Sequence, residues 1–371
     1  MTGRVPLSVL DLAPISQGST ARQALQDTID LAGHAEDWGY RRYWVAEHHF
    51  VATASSSPAV LIGLIASATS RIRVGSAAVQ IGHQTPAAVV EAFGVIDALH
   101  PGRIDLGLGR SGQRQAEATA GPAPAPDATP SARRIDGVLF PAPFNPATLL
   151  QSERLAAGAA VLRQPGAQVP DFDSQLDDII ALLAGTFATP AGIRLSASPG
   201  QGADVQLWLF GSSGGQSARS AAARGLPFVA NYHVSPGTTL DAVAAYRSAF
   251  TPSPVLARPY VVVSADVLVA ETDSQAHRLA APFARWVHSI RCGGGAIPYP
   301  DPDTVQPLNS AEFAAVEDRV ATRFVGTPAA VVEQLLDLQR VTGADELVVT
   351  TATHDPRDRL RSFELLADAW R

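Results

Sequence analysis

The chain has 371 residues, of which 46% are apolar, and its 35 acidic and 28 basic residues give a net charge of −7. Without a basic cluster it lacks the electrostatic footprint of a nucleic-acid-binding protein. Its single cysteine, Cys292, excludes an internal disulfide. No apolar run reaches the roughly 18 residues of a membrane span, and the N-terminal apolar stretch is too short for a signal peptide. We therefore expect a soluble, cytoplasmic, globular protein.

Strand-like and helical segments alternate along the chain. Continuous apolar strands that alternate with amphipathic helices indicate a parallel sheet covered by helices. Eight such units in one chain of this length favour a closed barrel over an open doubly wound sheet. The sequence thus predicts an α/β fold, a single (β/α)8 TIM barrel, with strands at 6–12, 41–49, 71–82, 103–109, 204–210, 226–234, 259–270 and 346–354.

Two irregular segments interrupt the alternation, after the fourth and seventh predicted strands. Residues 113–170 are rich in proline and alanine, and residues 285–316 include the run CGGGAIPYPDPDTVQP. Segments of this composition cannot bury enough apolar surface to order themselves. We predict that both are insertions or lid loops on one domain that spans residues 1–371.

The fourth strand ends in RIDLGLGRSG, where Gly107, Gly109 and Gly112 have the spacing of a dinucleotide-binding turn. In a Rossmann fold the last glycine opens a helix, but here a proline-rich segment follows, and it contains the suitably spaced Asp127. We therefore reject the Rossmann interpretation. Glycines at a strand end instead let a flat ligand approach the backbone. Arg110 beside them suits a phosphate, although a surface ion pair would equally explain it.

The second strand ends in the pair His48 and His49. Adjacent strand residues point to opposite faces, so the pair cannot ligate one metal, and a metal held by His48, His233 and an acid is a weak alternative. We predict no metal. One imidazole in a pocket at a strand end is a candidate general acid or base, although a neighbouring backbone group could equally satisfy it. We assign His48 this role and place His49 and His233 in a substrate pocket.

The fifth strand runs into FGSSGGQS at residues 210–217, just before a helix. Free N–H groups, the helix dipole and serine hydroxyls at such a position favour an anion. Ordinary N-capping would need only Ser212 or Ser213. Three serines and three glycines exceed that need, so we predict that this turn and Arg110 bind one mononucleotide phosphate at the barrel mouth.

These segments, together with PLSVLDLAPISQGST, YWVAEHHF, RIRVGSAAV and TGADELVVTTATHD, resemble the bacterial luciferase-like flavin monooxygenase family, in its biosynthetic-cluster branch. The likeness covers residues 6–112, 204–262 and 317–371. It implies a TIM barrel that binds FMN at its C-terminal mouth, with His48 as the catalytic histidine. The resemblance implies that the flavin contacts Ala77, Ala78, Arg110, Ser212, Ser213, Gly214 and Ser217. It also implies that the peptide bond between Ala77 and Ala78 is a non-prolyl cis bond.

The resemblance also implies the chemistry. Reduced FMN, supplied by a flavin reductase, reacts with O2 to a C4a-(hydro)peroxyflavin, and one oxygen atom enters a small organic substrate by hydroxylation, epoxidation or a Baeyer–Villiger reaction. A homodimer is usual in the family. Gly109 stands where the luciferase large subunit has a reactive cysteine, so light emission is not implied. The alternatives are a deazaflavin-dependent oxidoreductase on the same barrel and a flavin-binding protein without turnover.

Overall fold

The structure, a computed structural model, describes residues 3–110, 131–146, 149 and 151–371. The strands are β1 (Leu7–Asp11), β2 (Arg42–Val45), β3 (Arg73–Ser76), β4 (Val79–Gln80), β5 (Ile104–Gly109), β6 (Arg133–Ile135), β7 (Val138–Phe140), β8 (Gln206–Gly211), β9 (Phe228–Ala230), β10 (Val261–Val269), β11 (Phe324–Gly326) and β12 (Glu346–Thr350). The helices are α1 (Ala21–Asp37), α2 (Pro58–Ala68), α3 (Pro86–Leu99), α4 (Glu153–Val161), α5 (Phe172–Ala184), α6 (Gln216–Ala223), α7 (Thr239–Ala249), α8 (Asp273–Ala280), α9 (Pro282–Arg291), α10 (Ser310–Ala314), α11 (Glu317–Ala321), α12 (Pro328–Thr342) and α13 (Pro356–Trp370).

Eight parallel strands close into a barrel, which confirms the predicted TIM-barrel fold. They pair in the order β1-β2-β3-β5-β8-β9-β10-β12, and β12 returns to β1 with Leu7 opposite Leu347 and Val9 opposite Val349. Seven of the eight predicted strands contain one of these barrel strands, and the fifth, predicted at residues 204–210, ends one residue before the last residue of β8. The predicted third strand is divided into β3 and β4 by the residues Ala77 and Ala78, whose peptide bond is cis.

The helices begin and end where the sequence indicates. Thr20 caps α1, because its side chain accepts a hydrogen bond from the backbone N–H of Gln23 at 3.2 Å. Gly39 follows this helix with a positive φ of 84°. Thr85 caps α3 in the same way, ahead of a proline at the first helical position. Among the described residues no helix is both long and apolar enough to cross a bilayer.

The core has two layers because successive strand residues face opposite sides of the barrel wall. Outward-facing residues such as Val9, Val74 and Leu106 pack under the surrounding helices. Inward-facing residues form a separate cluster, in which the rings of Trp44 and Trp208 meet edge to face at 5.4 Å. The barrel is therefore filled by side chains, and ligand space is left only at its ends.

Both predicted insertions follow the expected strands. The first contributes the hairpin β6–β7 and helix α4, while residues 113–130 of the predicted segment lie outside the described residues. The second is less irregular than predicted, since α9 extends to Arg291 and α10 begins at Ser310. Its apolar residues form a small core of their own around Phe283 and Trp286. The strand β11, which the sequence pattern does not predict, pairs with the end of β10 outside the barrel.

Candidate active site

The carboxyl ends of the barrel strands open into a cavity of about 670 Å³, whose walls include both insertions. Most of the predicted site residues line this one cavity: His48, His49, Ala77, Ala78, Arg110, Ser212, Ser213, Ser217 and His233. Gly214 lies outside the lining and packs against α7, where a Cβ would come within 3.1 Å of the Asp241 carbonyl oxygen. Within the described part of the chain, no group of three or more His, Cys, Asp or Glu residues could hold a metal ion.

His48 follows β2 and is fixed through its backbone, which donates to the carbonyl of Ser55 at 2.9 Å. Its ring atom Nδ1 is buried and has no hydrogen-bond partner among the described residues. Burial lowers the pKa of His48 below its usual 6.5, and the neighbouring Glu47 carboxylate only partly opposes this effect. The imidazole is therefore neutral at pH 7 and can accept a proton at the cavity wall.

Glu47 joins two elements of the site. Its carboxylate contacts Nε2 of His49 at 2.8 Å and accepts the backbone N–H of Gln80 at 3.0 Å. The Gln80 side chain returns a hydrogen bond to the Glu47 carbonyl at 2.8 Å. Glu47 thus ties the end of β2, which carries the histidines, to β4. The sequence analysis missed this residue, although a carboxylate directly before a histidine pair is a usable indication.

The cis peptide between Ala77 and Ala78 lies at the mouth of the barrel, where the resemblance implies it. The backbone of Ala77 donates to the carbonyl of Val45 at 2.7 Å. Gly109 faces this turn, since a Cβ there would lie 3.2 Å from the Ala78 methyl group. Gly107 makes room for the protein itself, because a Cβ there would lie 2.0 Å from the Ser76 carbonyl oxygen. The prediction that Gly107 lets a flat ligand approach the backbone is therefore wrong.

The serine turn precedes α6 and is not explained by ordinary capping. The N-cap of α6 is Gly215, and no side chain caps the helix. Ser212, Ser213 and Ser217 all line the cavity. Arg110 lines it too, with its guanidinium 5.8 Å from the centroid of the Phe172 ring. Helix N–H groups, hydroxyls and a guanidinium make a donor set that fits a phosphate.

His233 occupies the opposite wall, beside β10. Its Nδ1 lies 2.6 Å from the hydroxyl of Ser264. Burial lowers its pKa to about 4, against a smaller raising effect of Asp266, so this imidazole is also neutral at pH 7. Asp266 binds Arg319 of α11 at 3.2 Å and thereby connects the segment directly after the second insertion to the barrel. The sequence pattern gave no indication of this long-range ion pair.

A closed parallel barrel with titratable and anion-binding groups gathered at its C-terminal mouth is an enzyme of the TIM-barrel class. The sequence profile described as luciferase-like monooxygenase matches residues 5–134 and 178–346. The chain belongs to this family and is an oxygenase.

The chain is also similar to individual proteins over nearly its full length. The Bacillus subtilis protein YvbT is 38% identical over 98% of this chain and 96% of its own length. A luciferase-like monooxygenase of Escherichia coli K12 is 33% identical over 98% of this chain and 96% of its own. The crystal structure of apo-MsnO8 has a TM-score of 0.76 and 32% identity, and the match covers 98% of both chains.

Proposed function

We propose that the protein is a monooxygenase that uses reduced FMN, delivered by a flavin reductase, to insert one oxygen atom from O2 into a small organic molecule. The main support is one arrangement: a phosphate-type donor set shares its cavity with the neutral His48, whose Nδ1 has no partner among the described residues. The first feature suits a mononucleotide, and the second suits proton transfer.

Different residues of the cavity bind the phosphate and the ring of FMN. The hydroxyls of Ser213 and Ser217, the first N–H groups of α6 and the Arg110 guanidinium hold the phosphate. The Ala77–Ala78 turn, which lines the same cavity, would contact the flavin ring. When bound, reduced flavin supplies the electrons that activate O2.

His48 and the two insertions supply the rest of the reaction. The neutral imidazole accepts a proton from the substrate or returns it, since its lowered pKa keeps it in the basic form at pH 7. Residues of both insertions, among them Leu155 and Trp286, cover the cavity. They keep water from the reacting atoms, which favours oxygen transfer over release of peroxide.

Anaerobic titration of the full chain with reduced FMN and with a reduced deazaflavin tests this function. We expect FMN to bind, and Arg110→Ala to weaken it about 10- to 150-fold through loss of a charge-assisted hydrogen bond of ~1.5–3 kcal/mol. Arg258→Ala, at a side chain 81% exposed, is the control. Tight deazaflavin binding without FMN binding would instead establish the oxidoreductase alternative. Reoxidation of bound FMN that only yields hydrogen peroxide with every substrate offered would indicate a non-catalytic flavin protein.

We also propose that the chain forms a homodimer through α2 and α3. These neighbouring helices bury one apolar face against the barrel and expose a second. The exposed fractions are 64% for Val60, 53% for Leu64, 51% for Val95 and 73% for Leu99. Exposed apolar side chains concentrated on two neighbouring helices favour a protein interface there.

A further inference from the structure

The second insertion and the helix α11 directly after it contribute buried N–H donors to the wall of the cavity. Nε1 of Trp286 on α9 and Nε of Arg319 on α11 are buried, and neither has a hydrogen-bond partner among the described residues. Both residues line the cavity. Both pack against one residue, Phe283, whose ring centroid is 6.0 Å from that of Trp286 and 5.6 Å from the guanidinium of Arg319. Buried donors of this kind require an acceptor.

Arg319 is the stronger of the two donors. Its side chain is only 11% exposed, and within the described part of the chain it forms an ion pair with Asp266, at 3.2 Å through Nη2. A guanidinium has five N–H groups, so this contact leaves most of them available. Burial lowers the pKa of Arg319 even though Asp266 opposes it. The carboxylate of Asp318 also opposes this lowering of the pKa, whereas the neighbouring cation Arg291 adds to it.

The first insertion lines another part of the cavity, and Arg154 is its charged residue there. Its large apolar side chains in the lining are Phe144, Leu149, Leu155 and Leu162. These side chains can cover a hydrocarbon or aromatic group, and they offer it no hydrogen bond. A ligand that fills both regions has an acceptor group at one end and an apolar body at the other.

We propose that the substrate is an organic carboxylate with an apolar body, whose carboxylate accepts hydrogen bonds from Arg319 and Trp286 while its body packs against the first insertion. This rests on the proposed function, because the substrate shares the cavity with the cofactor. Asp266 holds the guanidinium in place, and Arg319 bridges the two carboxylates. Amides offer one oxygen acceptor and no charge, whereas amines are attracted to Asp266 instead.

Isothermal titration of the full chain with matched probes tests the proposal. The probes are hexanoate and phenylacetate, the corresponding amides hexanamide and phenylacetamide, and hexylamine. We expect each acid to bind about tenfold or more tightly than its amide, since hydrogen bonds to a charged group are roughly twice as strong as neutral ones. Arg319→Gln should abolish this preference, and Trp286→Phe, which keeps the ring, should weaken the acids several-fold and the amides little.

Two further variants keep the test independent of folding. Arg319→Lys retains the charge opposite Asp266 but loses the Nε donor, so it should reduce the preference for acids without removing it. Arg285→Gln, in the same insertion but outside the cavity lining, should leave the preference unchanged.

Equal affinity for acid and amide, a preference for hexylamine, or an unchanged preference in Arg319→Gln would each overturn the proposal. FMN titration of the same samples separates the two proposals. FMN binding without a preference for acids refutes only the substrate class, and acid binding without FMN binding refutes the proposed function.

Discussion

The proton-transfer role of His48 rests on a lowered pKa and on a ring nitrogen that the described residues leave without a partner. We expect His48→Gln to bind FMN within about twofold of the wild type but to lower product formation roughly 10²- to 10⁴-fold, the usual contribution of a general base. Fluorescence titration and steady-state rates measure the two effects. His277→Gln, at an exposed histidine of α8, is the control. Full activity in His48→Gln would show that another group moves the proton.

Glu47 is a positioning residue, because it acts through His48, His49 and Gln80. Its carboxylate raises the pKa of His48, so Glu47→Gln should lower that pKa further. The base form of His48 then persists to lower pH, so the acid limb of the pH profile of kcat should move to lower pH. In addition, kcat itself should fall about tenfold or more, because the histidines are no longer held in place. A merely structural loss would lower the rate without moving the limb, and that result would contradict the assignment.

At the residue scale, the sequence predicts functional groups that stand directly after strands. His48, Arg110 and Ser213 could be found because polar residues at the carboxyl ends of barrel strands meet at one mouth. Asp266 and Arg319 could not be found, because their ion pair joins segments 53 residues apart that only the folded insertion brings together. The prediction for Gly107 was wrong because the sequence does not distinguish a glycine that makes room for a neighbouring strand from one that makes room for a ligand.

At the element scale, the amino ends of the barrel strands carry a buried ionic cluster in place of apolar packing. Arg42 of β2 binds Asp105 at 2.6 Å and Glu346 at 3.3 Å, and all three side chains are at most 5% exposed. Arg73 of β3 binds the second oxygen of Asp105 at 2.6 Å. Two cations thus face two carboxylates, and the cluster links β2, β3, β5 and β12 around the closed barrel.

We expect Arg42→Met to lower the free energy of unfolding by about 3–5 kcal/mol, because it leaves two buried carboxylates short of a partner. Urea denaturation monitored by tryptophan fluorescence measures this change. Arg71→Met is the matched control: its side chain is 70% exposed and lies 3.9 Å from Asp37, so the loss should stay within about 1 kcal/mol. Equal effects of the two substitutions would show that the cluster contributes no specific stability.

Among the strands and helices, those of the barrel could be predicted from the sequence, and those of the second insertion could not. The barrel strands are recognisable because they are apolar on both faces and alternate with capped helices. The second insertion was predicted as irregular because Phe283, Trp286 and Tyr299 pack into a small core outside the barrel. Their spacing matches no barrel element, and β11 has only three residues, Phe324–Gly326, so it gives too short a pattern to detect.

For the whole molecule, the proposed homodimer depends on the surface that α2 and α3 present away from the barrel. Helices α2 and α3 are apolar on two sides: Leu61 and Ile65 are buried, whereas Leu64 and Leu99 are 53% and 73% exposed. Burial of such side chains in a second copy is worth about 1.5–3 kcal/mol each when complete. Polar residues at these positions would serve a monomer better, so the pattern indicates an interface between copies.

We expect the wild-type chain to sediment as a dimer and the double variant Leu64→Arg, Leu99→Arg to sediment as a monomer, since two arginines per copy cannot be desolvated against an apolar face. Analytical ultracentrifugation measures both states. Ile193→Arg, at a residue 60% exposed elsewhere, is the control and should stay dimeric. Because none of these residues lines the cavity, all variants should bind FMN as the wild type does. A wild-type monomer, or a double variant that remains dimeric, would place the interface elsewhere or remove it.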